Sequence, residues 1–114
     1  MMSIKNKVQL IGHAGQDSEI VDLESGKKVA RVSIAVNEDY KNANGEKQTR
    51  TEWFNLVAWN SVATIFENYV QKGKKIAIEG KLTSRSYEDK GGTKRYVTEV
   101  LVNEVLLLSN KESE

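Results

Sequence analysis

The chain has 114 residues, contains no cysteine, and carries 17 Lys and Arg residues against 16 Asp and Glu, a formal net charge of +1. This length predicts one domain with its own core, and the absence of cysteine excludes disulfides, thiolate metal sites and cysteine nucleophiles. There is neither an apolar run near the roughly 18 residues of a membrane span nor an apolar segment long enough for a signal peptide, so we expect a cytoplasmic protein.

Five runs of alternating or β-branched residues predict strands. They cover residues 7–11, 29–36, 52–59, 75–87 and 95–107. Turn signals separate them at residues 25–28, 42–47 and 89–94, where glycine supplies the positive φ that hairpins use. The last two turns predict long hairpins.

A single helix is predicted at residues 60–73, between the third and fourth strands. Asn60 or Ser61 can cap its start, while Lys72 fits the last turn and Gly73 the left-handed position after the end. Its apolar positions recur at helical spacing: Val62, Ile65, Phe66, Tyr69 and Val70.

The order of three strands, a helix and two strands predicts an all-β fold with one helix. It suits the OB-fold, a five-stranded Greek-key barrel in which a helix between strands 3 and 4 plugs one end. A β-sandwich stays open, although sandwiches usually need about seven strands. We expect this domain to cover residues 1–109 and residues 110–114 to form a short free tail.

Nothing in the sequence indicates an active site. His13 is the only histidine and lies between two glycines, where a surface or turn position is expected. The acidic pairs Glu38–Asp39 and Glu88–Asp89 lie in Lys-rich contexts that are typical of solvated charge. We therefore expect no catalytic residues, no bound metal and no cofactor.

The segment TEWFNLVAWN, residues 51–60, holds both tryptophans of the chain. Strand alternation places Trp53, Asn55, Val57 and Trp59 on one side and Phe54, Leu56 and Ala58 on the other. The second set can cover a core, which leaves two aromatic rings roughly 20 Å apart on the open side, at about 3.3 Å per residue. From this pattern alone, a platform of aromatic rings and a buried core strand are equally good interpretations.

Basic and aromatic residues elsewhere fit a platform that binds a polyanion. Residues 71–95 contain eight basic and three acidic residues, so an excess of positive charge is concentrated in this segment of the C-terminal half. Tyr40 and Tyr87 lie at the tips of predicted strands, and alternation places Lys81 and Arg85 on the same side of the strand as Tyr87. Proteins that bind single nucleic-acid strands without reading sequence combine stacking rings with a positive groove. Tyrosines at strand tips are also common hairpin-closing residues, so both interpretations stay open.

Several motifs in order resemble those of the bacterial single-stranded DNA-binding proteins (SSB). They are NKVQLIGHAGQDSEI, TEWFNLVAWN, ENYVQKGKKIAIEGKLTSRSYED and RYVTEVLVNEV, which together span nearly the whole chain. The resemblance implies an OB-fold that coats and protects single-stranded DNA during replication, recombination and repair. It also implies a homotetramer located in the cytoplasm with the nucleoid.

The resemblance assigns roles to residues by position. Base stacking falls to Tyr40, Trp53, Trp59 and Tyr87, and phosphate contacts to Lys7, Lys72, Arg85 and Arg95. Arg31 and Lys81 are added as phosphate contacts from strand alternation alone. Phe54 stands where many relatives have a histidine near a subunit contact, so we expect it to be buried or at an interface.

The C-terminus departs from the family pattern. Many relatives continue into a flexible linker with an acidic tip that recruits repair and replication enzymes, whereas this sequence ends in LLLSNKESE. It is either a short variant or a truncated sequence, and recruitment through a tail is not expected. Two other functions stay open: an OB-fold accessory factor of replication restart, and a small enzyme or oligosaccharide-binding module on the same barrel.

Overall fold

The computed structural model describes residues 4–108, which form six strands and one helix. In chain order these are β1 (Val8–Ala14), β2 (Glu19–Asp22), β3 (Lys28–Lys41), β4 (Lys47–Trp59), α1 (Asn60–Tyr69), β5 (Lys75–Glu88) and β6 (Lys94–Leu107). The predicted tail at residues 110–114 lies outside the described residues. No helix within the described part is long and apolar enough to cross a membrane.

Five of the strands close into a barrel. The sheet order is β1-β5-β6-β4-β3-β2, and an additional pairing of β1 with β3 completes the ring while β2 stays outside it. β4 and β6 pair in parallel, and the other pairs are antiparallel. The predicted five-stranded OB-fold is therefore confirmed, with the helix between the third and fourth strands of the ring.

The sequence did not predict β2. This strand has only four residues, EIVD, of which one is partly buried, so its alternation is too short to stand out. It forms because the predicted turn at residues 25–28 brings it back onto β3, where Glu19 lies opposite Arg31 and Asp22 opposite Lys28. When β2 is counted, the helix follows the fourth strand of the chain, β4, and not the third.

Barrel closure depends on a close approach between β1 and β3. β1 pairs with β5 from Val8 to His13 and reaches β3 at its last two residues. A Cβ atom on Gly12 would lie 2.4 Å from the carbonyl oxygen of Ala35, so only glycine lets the two backbones meet here.

The core lies inside the ring and is closed at one end by the helix. Each long strand contributes alternate residues to it, and Phe66 of α1 is fully buried against them. The strand residues are Val32, Ile34, Leu56, Ala58, Ile76, Ile78, Val100 and Val102. Both long hairpins, β3–β4 and β5–β6, extend from this core to turns at the predicted positions.

The helix differs from the prediction at both ends. Its N-cap residue is Trp59, which makes no side-chain cap bond, so the predicted cap at Asn60 or Ser61 is wrong. The Oδ1 atom of Asn60 instead accepts a hydrogen bond from the backbone N–H of Lys28 at 3.2 Å. Helix α1 ends at Tyr69, because the hydroxyl of Ser18 donates to the carbonyl of Val70 at 2.9 Å and ties the chain to the β1–β2 loop.

Candidate nucleic-acid interface

The aromatic strand presents both tryptophans to solvent. Trp53 is 60% exposed and Trp59 38%, whereas Leu56 and Ala58 belong to the core and Phe54 packs partly buried against it. The predicted division of this strand into a covered and an open side is confirmed at these positions. We use the term outer face for the open side of β3, β4, β6 and β5, on which the two tryptophans lie.

The ring of Trp53 rests on the loop that follows β1. Its Cζ3 atom lies 2.5 Å from the position that a Cβ atom would take on Gly15. The same glycine is held in place because its N–H donates to the carbonyl of Ser33 on β3 at 2.8 Å. The missing side chain of Gly15 therefore makes the space in which the indole lies.

Val57 is the exception to the predicted open side. It shares the alternation of the tryptophans but is buried at 5% exposure, and it does not belong to the core cluster. Arg31 lies opposite Val57 in the β3–β4 ladder and reaches across β4 to Glu99 on β6. The arginine side chain consequently passes over Val57, which explains the burial and separates the two tryptophans.

Glu99 joins two arginines from different strands. Its Oε2 atom accepts a hydrogen bond from Nη1 of Arg31 on β3 at 2.7 Å. From β5, Nε of Arg85 donates to Oε1 at 3.3 Å and Nη2 to Oε2 at 3.2 Å. We call these three residues the Glu99 cluster.

The charge of Glu99 is maintained despite its burial. Only 8% of the residue is exposed, and this burial raises the pKa of the carboxyl. Hydrogen bonds from Arg85 and the positive charges of Arg31 and Arg85 outweigh the burial and hold the pKa below its ordinary value. Glu99 is therefore ionised at neutral pH.

Sequence reasoning missed Glu99, although a signal was present. In the run VTEVLV it is the one charged residue among apolar and β-branched ones. The predicted hairpin turn at residues 89–94 places it across from Thr83, two residues from Arg85. A buried carboxylate at that position requires cationic partners, because an unpaired buried charge is costly.

A shallow polar hollow of about 230 Å³ lies beside the Glu99 cluster. Ser33 and Asn55 line it between the two tryptophans, and the Ser33 hydroxyl donates to Oδ1 of Asn55 at 2.9 Å. Gln16 and Glu19 line it from the β1–β2 segment. The hollow thus offers both donors and acceptors next to the two exposed indole rings.

Four of the six predicted phosphate contacts form ion pairs within the protein. Besides Arg31 and Arg85, the Nζ atom of Lys7 lies 3.4 Å from Oε2 of Glu79. At the β5–β6 turn, Nε of Arg95 donates to Oδ2 of Asp89 at 2.9 Å, a bond that lowers the pKa of Asp89 together with the N–H groups of Thr93 and Gly91. Lys72 and Lys81 are exposed and make no ion pair within the described residues.

The two predicted stacking tyrosines lie on different sides of the sheet. Tyr87 shares the alternation of Arg85 and so belongs to the outer face. Tyr40 lies opposite Gln48, which places it on the same side of the sheet as Phe54 and not on the side of Trp53. The guanidinium carbon of Arg50 lies 5.4 Å from the centre of the Tyr40 ring, within range of a cation–π contact. The outer face thus brings together Trp53, Trp59 and Tyr87, and stacking by all four aromatics stays a prediction.

The candidate catalytic groups are separate from one another. Residues 4–108 contain no group of three or more His, Cys, Asp or Glu side chains that could hold a metal ion. His13 is exposed within β1. Glu38 and Asp39 lie in β3 and not in a loop, where Glu38 pairs with Arg50 at 3.3 Å and Asp39 accepts from Thr49 at 2.9 Å.

Comparisons with known proteins agree in pointing to one family. The profile of the Single-strand binding protein family matches residues 5–108. A "Single-stranded DNA-binding protein 1" from Chlorobaculum tepidum is 42% identical, with 95% of this chain and 67% of the relative covered. A "Single-stranded DNA-binding protein" from Bacteroides thetaiotaomicron is 44% identical, with 93% and 67% covered.

The fold also matches a solved structure. The structure described as "Plasmodium falciparum SSB complex with ssDNA" aligns with a TM-score of 0.84 and 27% sequence identity. The alignment covers 96% of this chain and 98% of the other. The likeness therefore extends over the whole barrel and both hairpins.

Proposed function

The chain belongs to the Single-strand binding protein family, and on this premise we propose that it coats and protects single-stranded DNA in replication, recombination and repair. The observation that carries the proposal is the exposure of Trp53 and Trp59 on one face, with the arginines of the Glu99 cluster between them. Stacking accepts every base, since every base has a flat π surface, and so it makes binding tolerant of sequence.

Bases and phosphates would be bound by different side chains of the outer face. Each base stacked on an aromatic ring contributes about 1–3 kcal/mol. The attraction for phosphates comes from Lys81, Arg31 and Arg85 on the outer face and from Lys72 in the turn between α1 and β5, and it is weakened by salt as counterions compete. We propose this division of work for the tryptophans and for Tyr87, which Arg95 faces across the β5–β6 ladder, with Lys7 and Tyr40 contributing where the DNA continues past the outer face.

A fluorescence titration tests the proposal. Because stacking changes the surroundings of both indoles, oligo-dT should strongly quench the tryptophan emission, and the affinity should fall with salt. Trp53→Ala should weaken binding more than it weakens folding. Tyr69→Ala is the matched control, since Tyr69 is a 53% exposed aromatic residue on α1, away from the outer face.

Two results would contradict the proposal. An emission spectrum that does not change at saturating oligo-dT would rule out stacking on the tryptophans. A lowered melting temperature with unchanged affinity in Trp53→Ala would show that Trp53 contributes to the stability of the fold and not to DNA binding.

We propose that the protein acts without catalysis and without a cofactor. The family is one of DNA-binding proteins, and the buried carboxylate of the outer face, Glu99, is paired with Arg31 and Arg85. We place the binding domain at residues 1–109 and the protein in the cytoplasm with the nucleoid. Recruitment of other enzymes through an acidic tail is not part of the proposal.

Self-association is the remaining element of the proposal, and the family implies a homotetramer. Ile11 of β1 and Leu106 of β6 are 55% and 62% exposed, and Ala77 of β5 lies beside both in the sheet. A row of apolar side chains across three strands, with its two large members exposed, is typical of a surface that another protein covers. We propose that further copies of this chain cover it.

A further inference from the structure

We propose that Glu99 is a positioning residue that holds Arg31 and Arg85 ready for phosphate and, by its own charge, limits how strongly they attract it. The inference rests on the proposed function. Nothing in the outer face requires an acid for stacking, yet this carboxylate lies at the centre of the surface and contacts two of the predicted phosphate ligands.

The first argument is the position of the three side chains. Arg31 extends from β3 and Arg85 from β5, and the two strands are separated by β4 and β6. Long arginine side chains would each sample many rotamers if nothing held them. The shared carboxylate holds both guanidinium groups at one location between Trp53 and Trp59 before any DNA arrives.

The second argument is the difference in exposure within the Glu99 cluster. The side chains of Arg31 and Arg85 are 40% and 50% exposed, whereas that of Glu99 is 9% exposed. A phosphate that approaches the outer face therefore meets guanidinium edges first. A guanidinium has five N–H donors, of which Arg31 uses one and Arg85 two for Glu99, so both can bind phosphate without releasing the carboxylate.

The third argument is the charge balance. Two guanidinium groups and one carboxylate leave the Glu99 cluster with a charge of +1 where two arginines alone would supply +2. Because Glu99 is held ionised, this reduction persists at neutral pH. Glu19 of β2, opposite Arg31 in the ladder and at the rim of the same hollow, lowers the local potential further. The site thus attracts a phosphate while limiting the number of counterions that binding releases.

The expected consequence is a change in salt dependence when the carboxylate is neutralised. Glu99→Gln keeps the shape of the side chain and raises the charge of the cluster by one. For single strands the slope of log affinity against log salt changes by about 0.7 for each phosphate neutralised. Glu99→Gln should therefore bind oligo-dT more tightly at low salt, with a slope steeper by about 0.7, which is about fivefold in relative affinity for each tenfold change in salt.

The experiment measures affinity for oligo-dT by tryptophan quenching at several salt concentrations in three single variants and one double variant. Arg31→Gln leaves the cluster neutral and should make the slope shallower by about 0.7. The double variant with Glu99→Gln and Arg31→Gln restores a charge of +1 and should return the slope toward that of the wild type. Glu24→Gln, at an exposed turn, is the control for net charge alone.

The outcomes separate this inference from the proposed function. If the wild type does not bind oligo-dT, the proposed function fails. If the wild type binds but Glu99→Gln has an unchanged or shallower slope, or no more effect than Glu24→Gln, only the inference fails, and Glu99 has a purely structural role. Thermal melting shows whether Glu99→Gln is folded. If it is not, an unchanged slope in Arg31→Gln overturns the inference by itself.

Discussion

The indole of Trp53 lies in the space left by the missing side chain of Gly15, with its Cζ3 atom 2.5 Å from where a Cβ atom would be. Gly15 belongs to the loop after β1 and Trp53 to β4, so residues far apart in the sequence determine the orientation of the ring. A glycine outside the aromatic strand can in this way control the orientation of a ring that is proposed to stack on DNA.

We predict that Gly15→Ala weakens binding to oligo-dT by roughly tenfold, a partial loss of the 1–3 kcal/mol that one stacked base contributes. The added methyl group must displace the ring, because a contact of 2.5 Å is far below van der Waals distance. Titration of tryptophan emission measures the affinity, and thermal melting checks the fold.

Gly91→Ala is the matched control for this prediction. A Cβ atom on Gly91 would lie 3.6 Å from its nearest neighbour, Oδ1 of Asp89, which is an ordinary contact. Equal affinity losses in the two variants would contradict a specific role for Gly15 in placing the indole.

The fold could be predicted from the sequence because its signals are local. Alternation along TEWFNLVAWN identified the covered side at Leu56 and Ala58 before any partner strand was known. The turns at residues 42–47 and 89–94 contain the residues that hairpins require. Periodicity and turn chemistry therefore sufficed to locate the five barrel strands, although β3 and β4 extend further toward their shared turn, to Lys41 and from Lys47, than the predicted 29–36 and 52–59.

The parts that could not be predicted depend on contacts between distant segments. The burial of Val57 requires Arg31 to cross β4, and the end of α1 at Tyr69 depends on Ser18 of another loop. The resemblance also placed Tyr40 and Trp53 in one set of stacking residues without revealing that they lie on opposite sides of the β3–β4 hairpin. Such relations follow from register and tertiary packing, which one sequence does not display.

The dependence of stability on pH should report the charge of Glu99. The pKa of Glu99 is lower in the folded protein than its ordinary value of 4.5, so ionised Glu99 stabilises the fold. This stabilisation is fully present above about pH 4.5 and is lost as the pH falls through the lowered pKa. We predict that the melting temperature of the wild type falls below about pH 4.5 more steeply than that of Glu99→Gln. If the melting temperatures of both proteins fall equally with pH, other carboxyl groups account for the acid sensitivity.

The apolar row at Ile11 and Leu106 should be required for assembly. We predict that Ile11→Lys, which introduces a charge at a 55% exposed position, reduces the particle to a smaller species in sedimentation velocity while the far-UV circular dichroism stays unchanged. Val21→Lys is the control, since Val21 is 43% exposed on β2, outside the barrel ring. A wild type that sediments as a dimer would contradict the homotetramer.

The separation of the two tyrosines predicts a dependence on DNA length. Tyr87 lies on the outer face with Arg85, whereas Tyr40 lies on the other side of the β3–β4 hairpin. An oligonucleotide of about eight nucleotides, within the range that one OB-fold binds, should occupy the outer face alone. Tyr87→Ala should then weaken its binding by the 1–3 kcal/mol of one stacked base, while Tyr40→Ala should leave it unchanged.

A longer oligonucleotide should reveal the contribution of Tyr40. A strand that continues around the β3–β4 hairpin reaches the ring that Arg50 now contacts at 5.4 Å, and both tyrosine variants should then bind more weakly than the wild type. Isothermal titration calorimetry with oligo-dT of both lengths measures the six affinities of the wild type and the two variants under one salt condition. Because Tyr40 and Tyr87 have nearly the same exposure, 45% and 48%, a difference between them would reflect their position relative to the DNA path and not their accessibility. Equal losses with the short strand would place both rings on one continuous path and contradict the separation inferred from strand alternation.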